Sequence, residues 1–146
     1  MRNGIIAKQM LPTFAVCFLF SLPAFADLYE IETRTCDRED AGTDSDVLID
    51  IVGDRGRVQG FRPASPERND FRRNQVDTYQ VSASNIGVLR WLRINLSGTD
   101  GWCMESIRLR NLDTGRSWLW RYGSWIDTDS AYPATVMCRV GQRYCR

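Results

Sequence analysis

From Tyr29 onward the chain alternates apolar and polar residues in short runs. Tyr29, Ile31 and Thr33 alternate with Glu30, Glu32 and Arg34. In an extended chain this puts the apolar set on one face and the charged set on the other. Val47, Ile49 and Ile51 repeat the pattern around Asp50. So do Leu92, Ile94 and Leu96 against Trp91, Arg93 and Asn95. Ile107 and Leu109 alternate with Arg108 and Arg110, and Trp118 and Trp120 with Leu119 and Arg121. Thr78 to Val81 is a further short strand candidate. Turn-forming clusters separate the runs, at Gly53–Gly56, Pro63–Pro66, Ser97–Gly101 and Asp113–Gly115.

No stretch of three helical turns carries a 3.6-residue period. Six to eight short strands with one polar face each predict an all-β antiparallel sandwich. The polar stretch Arg62–Asn74 reads as a surface loop; its arginines Arg72 and Arg73 read as solvated, with contact to anionic lipid as the alternative.

The N-terminus follows a different pattern. Arg2 and Lys8 precede an apolar stretch, Met10–Ala24, that ends at Ala24-Phe25-Ala26. This is the layout of a cleaved secretory signal peptide, with the mature chain beginning at Asp27. The expected organisation is a signal at 1–26, a sandwich domain at 27–128 and a C-terminal extension at 129–146 carrying Cys138 and Cys145. Export puts the protein outside the cytoplasm, secreted or periplasmic.

Composition narrows the chemistry. The formal charge is +1 and becomes about −1 once Arg2 and Lys8 are set aside. That balance disfavours nucleic acid as a partner, which would call for a basic face. Histidine is absent, which removes Ser-His-Asp and Cys-His nucleophiles and His-ligated zinc. Beyond the signal lie Cys36, Cys103, Cys138 and Cys145. An even number in an exported chain reads as two disulfides, with three connectivities open.

One segment stands out as a candidate site. Glu39-Asp40-Ala41-Gly42-Thr43-Asp44-Ser45-Asp46 has four carboxylates in eight positions, directly before an apolar strand. Hard cations such as Ca²⁺ take oxygen ligands of this kind. An acidic turn capped by Asp would look the same.

Asp40-Ala41-Gly42-Thr43-Asp44, followed after two residues by Val47-Leu48-Ile49, resembles the A-G-T-D-x-x-V-x-I signature of PLAT (lipoxygenase-homology) domains. Phe71 through Tyr79 resembles the family's F-x-x-G-x-x-D-T-F stretch, with Asn74 in the glycine place. Trp102 through Ile107 resembles W-x-L-D-x-V, and Gly115 through Ile126 resembles the aromatic ending. The resemblance spans Leu28 to about Ile126. It implies an eight-stranded antiparallel β-sandwich without catalytic activity that binds membranes, lipids or proteins, often with Ca²⁺.

Carried over by residue, the resemblance puts the metal ligands at Asp40, Gly42, Thr43 or Asp44 in one loop, and Asp100 and Gly101 in another. Such a half-open set should bind Ca²⁺ weakly, with Kd about 10⁻⁴ to 10⁻³ M. If both loops meet at one metal, Cys36 and Cys103 become neighbours, and the closeness of Cys138 and Cys145 in sequence pairs those two. Trp102, beside the second loop, is the candidate membrane anchor, and Trp91 the candidate partner-facing residue. Trp118, Trp120 and Trp125 fall where the family has buried aromatics.

The sequence therefore points to a monomeric, exported binding domain that attaches to lipid surfaces with Ca²⁺. The alternative is a metal-independent protein-interaction module of the same fold. An enzymatic role for a carboxylate pair such as Asp100 and Glu105 has no catalytic motif behind it.

Overall fold

A computed structural model describes residues 26–63, 69–128 and 132–146. The expected signal peptide lies outside the described residues, except for Ala26. Eight strands are present among the described residues: β1 (Ala26–Thr35), β2 (Asp46–Gly53), β3 (Arg57–Phe61), β4 (Val76–Ser84), β5 (Leu89–Ser97), β6 (Trp102–Asn111), β7 (Ser117–Ile126) and β8 (Thr135–Arg139). They form two four-stranded sheets, ordered β4-β1-β6-β7 and β3-β2-β5-β8. All paired neighbours run antiparallel.

The alternation along the chain becomes the two faces of each sheet. Ile31, Val47, Ile49, Ile51, Leu92, Ile94, Ile107, Leu109 and Val136 are buried without exposure and belong to one core between the sheets. On the outer face of the first sheet, Glu32 meets Arg108 at 3.3 Å, Arg110 approaches Glu30 at 3.9 Å and Arg34 meets Glu105 at 3.2 Å. These half-exposed pairs match charges across strands and add little stability.

Two strands carry no clear alternation. β3 is a short edge strand whose residues are half-buried or exposed. A register shift between Ile49 and Ile51 opposite β3 puts Asp50 at a bulge. There Asp50 is 3% exposed, accepts the Gly60 N–H at 2.6 Å and pairs with Arg93 of β5. A carboxylate buried on an outer sheet face is tolerable only with such partners.

β8 corrects the expected domain boundary at residue 128. It pairs with β5 from Trp91–Arg139 to Asn95–Thr135 and contributes Val136 and Cys138 to the core. The sandwich therefore includes the segment read as an extension. Its five residues offer only two inward positions, too few to show a period.

The chain's last residues close the edge of the sandwich where β7 and β8 lie side by side. Met137 and Arg146 exchange both backbone hydrogen bonds, at 2.7 and 2.9 Å. Arg121 of β7 donates its N–H to Arg143 and accepts from the Cys145 N–H. The Trp120 Nε1–H donates to the Arg139 carbonyl at 2.8 Å, across from one sheet to the other. The Cys138–Cys145 disulfide holds this tail in place. In the chain-entropy description a loop this short is worth about 2–3 kcal/mol. A Cys138→Ala/Cys145→Ala variant should lose about that much in a urea titration, and an unchanged midpoint would show that the tail holds without the bond.

Candidate functional site

Three loops meet at one end of the sandwich: residues 36–45, residues 98–101 and the end of the segment before β4. Cys36 and Cys103 form a disulfide with Cα atoms 5.5 Å apart. Around it the Cys36 N–H donates to the Cys103 carbonyl at 2.9 Å, and the Cys103 N–H to the Ala41 carbonyl at 3.0 Å. Cys36, Ala41 and Cys103 are buried together, with Trp125 packed over them.

The acidic loop is fastened to the loop at Asp100 by side chains. The Thr43 hydroxyl donates to the Asp100 carbonyl at 2.8 Å and accepts the Ser45 N–H at 3.0 Å. The Asp44 N–H donates to the Asp100 carboxylate at 2.7 Å, and the Asp100 N–H to the Ser45 hydroxyl at 3.0 Å. Thr128 adds a hydroxyl bond to the Gly98 carbonyl.

The third loop docks against both. Phe71 and Asn74 take left-handed backbone conformations, at φ 58° and 57°. Asn74 is thus a physical substitute for the family's glycine, because asparagine tolerates this region better than most residues. Phe71 is held there by its ring, which packs on Trp102 at 4.9 Å and on Tyr79 at 6.0 Å. Its N–H donates to buried Asp77 at 2.9 Å. Gly42 is needed for space: a Cβ there would lie 2.9 Å from the Phe71 carbonyl oxygen. The absence of a side chain at Gly42 thus lets two backbones pack closely.

Together these loops frame an open pocket of about 390 Å³ lined by Asp40, Ala41, Gly42, Thr43, Arg72, Arg73 and Asp100. Four of the six expected ligand residues, from two segments nearly sixty residues apart, line this one concavity. Asp44 and Gly101 are not among its lining. Asp44 is exposed and pairs with Arg72 at 3.4 Å. Gly101 sits against Asp127 and Trp125, where a Cβ would meet the Asp127 carboxylate at 3.1 Å.

Arg72 and Arg73 are exposed, as a solvated loop requires, and both line the pocket. Arg73 also pairs with Asp37 at 2.7 Å. Their place follows from the turns at Phe71 and Asn74, which run length and charge do not announce.

The oxygen donors suit a hard cation. Among the described residues, no three acidic, Cys or His side chains gather into a group able to hold a metal by themselves. Asp40 and Asp100 are the carboxylates along the pocket, and a cation there would need other oxygens to complete its shell. Thr43 has already committed its proton to joining the loops and one acceptor position to the Ser45 N–H within its own loop.

Trp102 requires a correction. It is fully buried, packs on Phe71 and donates its Nε1–H to the Thr35 hydroxyl at 3.0 Å. It is the first residue of β6, and its ring turns inward under the loop rather than crowning it. Trp91 is half-buried on the outer face of the second sheet, with the Arg93 guanidinium 5.9 Å from its ring centre. Trp120 is core as expected, while Trp118 and Trp125 are half-buried against it and the disulfide cluster.

The model of the PLAT/LH2 domain matches residues 29–139, most of the chain. The chain belongs to the PLAT/LH2 domain family. Lipoxygenase homology domain-containing protein 1 of Mus musculus is 28% identical over 77% of this chain and 6% of its own length. This PLAT domain thus spans a small part of such relatives. A coral 8R-lipoxygenase, described as activated by calcium through a C2-like domain, superposes with TM-score 0.66 and 22% identity, covering 77% of this chain and 16% of the enzyme. The α-toxin of Clostridium absonum superposes with TM-score 0.60 and 24% identity over 74% of this chain and 31% of its own. These likenesses concern the fold. In the PLAT domain described here, replacing Trp102 with Ala should cost about 3–5 kcal/mol of stability. A loss below about 1 kcal/mol in chemical denaturation would return the indole to the surface.

Proposed function

We propose that this PLAT domain is an exported, non-catalytic binding module, secreted or periplasmic, that attaches to lipid surfaces with the help of Ca²⁺. The observation that carries the reading is the pocket lined by Asp40, Gly42, Thr43 and Asp100, with two arginines on its rim. Calcium activation through a C2-like domain in the coral lipoxygenase supports it.

Asp40 and Asp100 are the anionic ligands in this reading, because both line the pocket. Asp44 joins them only by giving up Arg72. An ion held by two carboxylates keeps positions open for water or a lipid phosphate. Arg72 and Arg73 border the same space and offer phosphate a second, charge-assisted contact. With Trp102 in the core, attachment rests on this electrostatic bridge and weakens with salt.

A disulfide and hydrogen bonds already fasten these loops to one another, so Ca²⁺ binding should need little reorganisation. With Kd about 10⁻⁴ to 10⁻³ M, about 10 mM Ca²⁺ is about 10 to 100 times Kd and stabilises the folded state by about 1.4–2.7 kcal/mol. A thermal melt at that concentration should therefore rise by a few degrees over one in chelator, and Asp40→Asn/Asp100→Asn should abolish the rise. Vesicles of anionic phospholipid should pellet the protein only with Ca²⁺. Equal melts and equal pelleting in both conditions would reject the proposal.

A further inference from the structure

The opposite end of the sandwich carries a second concavity. Val88, Leu89, Arg90, Trp91, Arg139 and Val140 line a pocket of about 470 Å³, a volume within the usual range for ligand sites. It lies where β5 begins and β8 ends, so the strands carry it away from the acidic loops.

Its walls are fixed. The Asp54 N–H donates to the Val88 carbonyl at 3.0 Å, and the Asp54 carboxylate accepts the Val88 N–H at 2.8 Å. The Arg55 N–H donates to the carbonyl of fully buried Ile86. Across the pocket, the Val140 N–H donates to the Arg90 carbonyl at 3.0 Å, and the Gln142 N–H closes a turn onto Arg139 at 3.1 Å. The Cys138–Cys145 bond lies beside that turn.

Two features are unusual for a solvated loop pair. Val88 and Val140 are 55% and 40% exposed on this rigid frame, beside the half-buried Trp91. The frame itself does not need them outside, since Ile86 and Leu89 supply its buried contacts. The charges are also unmatched. Arg139 has no ion pair among the described residues, and Arg90 has only a 3.8 Å approach to Asp54. Apolar surface flanked by guanidinium groups complements a ligand that is both apolar and anionic.

We infer that this pocket is a second binding site, for an acidic peptide segment bearing a large apolar side chain. Arg90 and Arg139 would receive its carboxylates, and Val88, Val140 and the Trp91 ring its side chain. Aromatic and arginine residues are the usual anchors of protein interfaces. A recess suits an inserted side chain, whereas a bilayer is met by apolar groups at a protruding tip. The site is independent of the proposed Ca²⁺ site and would make the domain a two-ended adaptor.

The probe is a fluorescein-labelled peptide of sequence EDFLE, titrated with the purified, oxidised protein in chelator and followed by anisotropy. Saturable binding below about 1 mM is expected, weakened about tenfold or more by Arg139→Glu and by Val140→Asp. Both residues are exposed, so the variants should melt with the parent. Asp100→Asn should bind the peptide unchanged, which separates this site from the Ca²⁺ proposal. Absence of saturation, equal binding of the basic control KRFLK, or indifference to both pocket variants would overturn the inference. So would chelator-resistant pelleting with phosphatidylglycerol vesicles that Arg139→Glu removes, since the pocket would then be a membrane face.

Discussion

The meeting of the loops at residues 36–45 and 98–101 is the constraint on which the functional end depends. One covalent bond and a set of hydrogen bonds hold it: Cys36 to Cys103, Thr43 and Asp44 to Asp100, and Asp100 to Ser45. The disulfide closes a loop of nearly seventy residues, worth about 4 kcal/mol in the chain-entropy description. The hydrogen bonds then set the registration that the disulfide alone would leave loose. Asp40 and Asp100 share a pocket because of this join, and the third loop rests on it through the contact of Gly42 with Phe71.

The same join changes the part played by the family's signature residues. Gly42 lets two backbones touch, Thr43 links loops, Asp77 satisfies the N–H of a left-handed Phe71, and Trp102 supports Phe71 from inside. Most of the motif is architecture for the pocket, and the proposed chemistry falls to Asp40 and Asp100. The proposed attachment to lipid is correspondingly electrostatic in character.

The sandwich was legible because inward positions along β1, β2, β5, β6 and β7 are spaced by two and separated by turn formers. β3 and β8 were hidden because each is five residues long and β3 has no buried residue. The two loops that frame the pocket could be named from their motifs. Arg72 and Arg73 could be named as a contact for anionic lipid but not placed at this pocket, since a left-handed turn at a phenylalanine has no local signal and arises from the ring's burial among Trp102 and Tyr79. Trp102 was misplaced for a related reason. A residue adjacent to a loop points inward or outward according to strand register, and Thr35 as its hydrogen-bond partner is sixty-seven residues distant.

The strand order also has a kinetic side. β1 sits inside its sheet between β4 and β6, and both partners lie far along the chain. No hairpin forms between β1 and its immediate successor, which belongs to the other sheet. The first strand therefore waits for the middle of the chain before it gains any ladder at all, and a sheet built on such distant pairings assembles slowly. During that wait its apolar face, Tyr29 to Thr33, is unsheltered, and its alternating glutamates are what oppose pairing with a strand of another molecule.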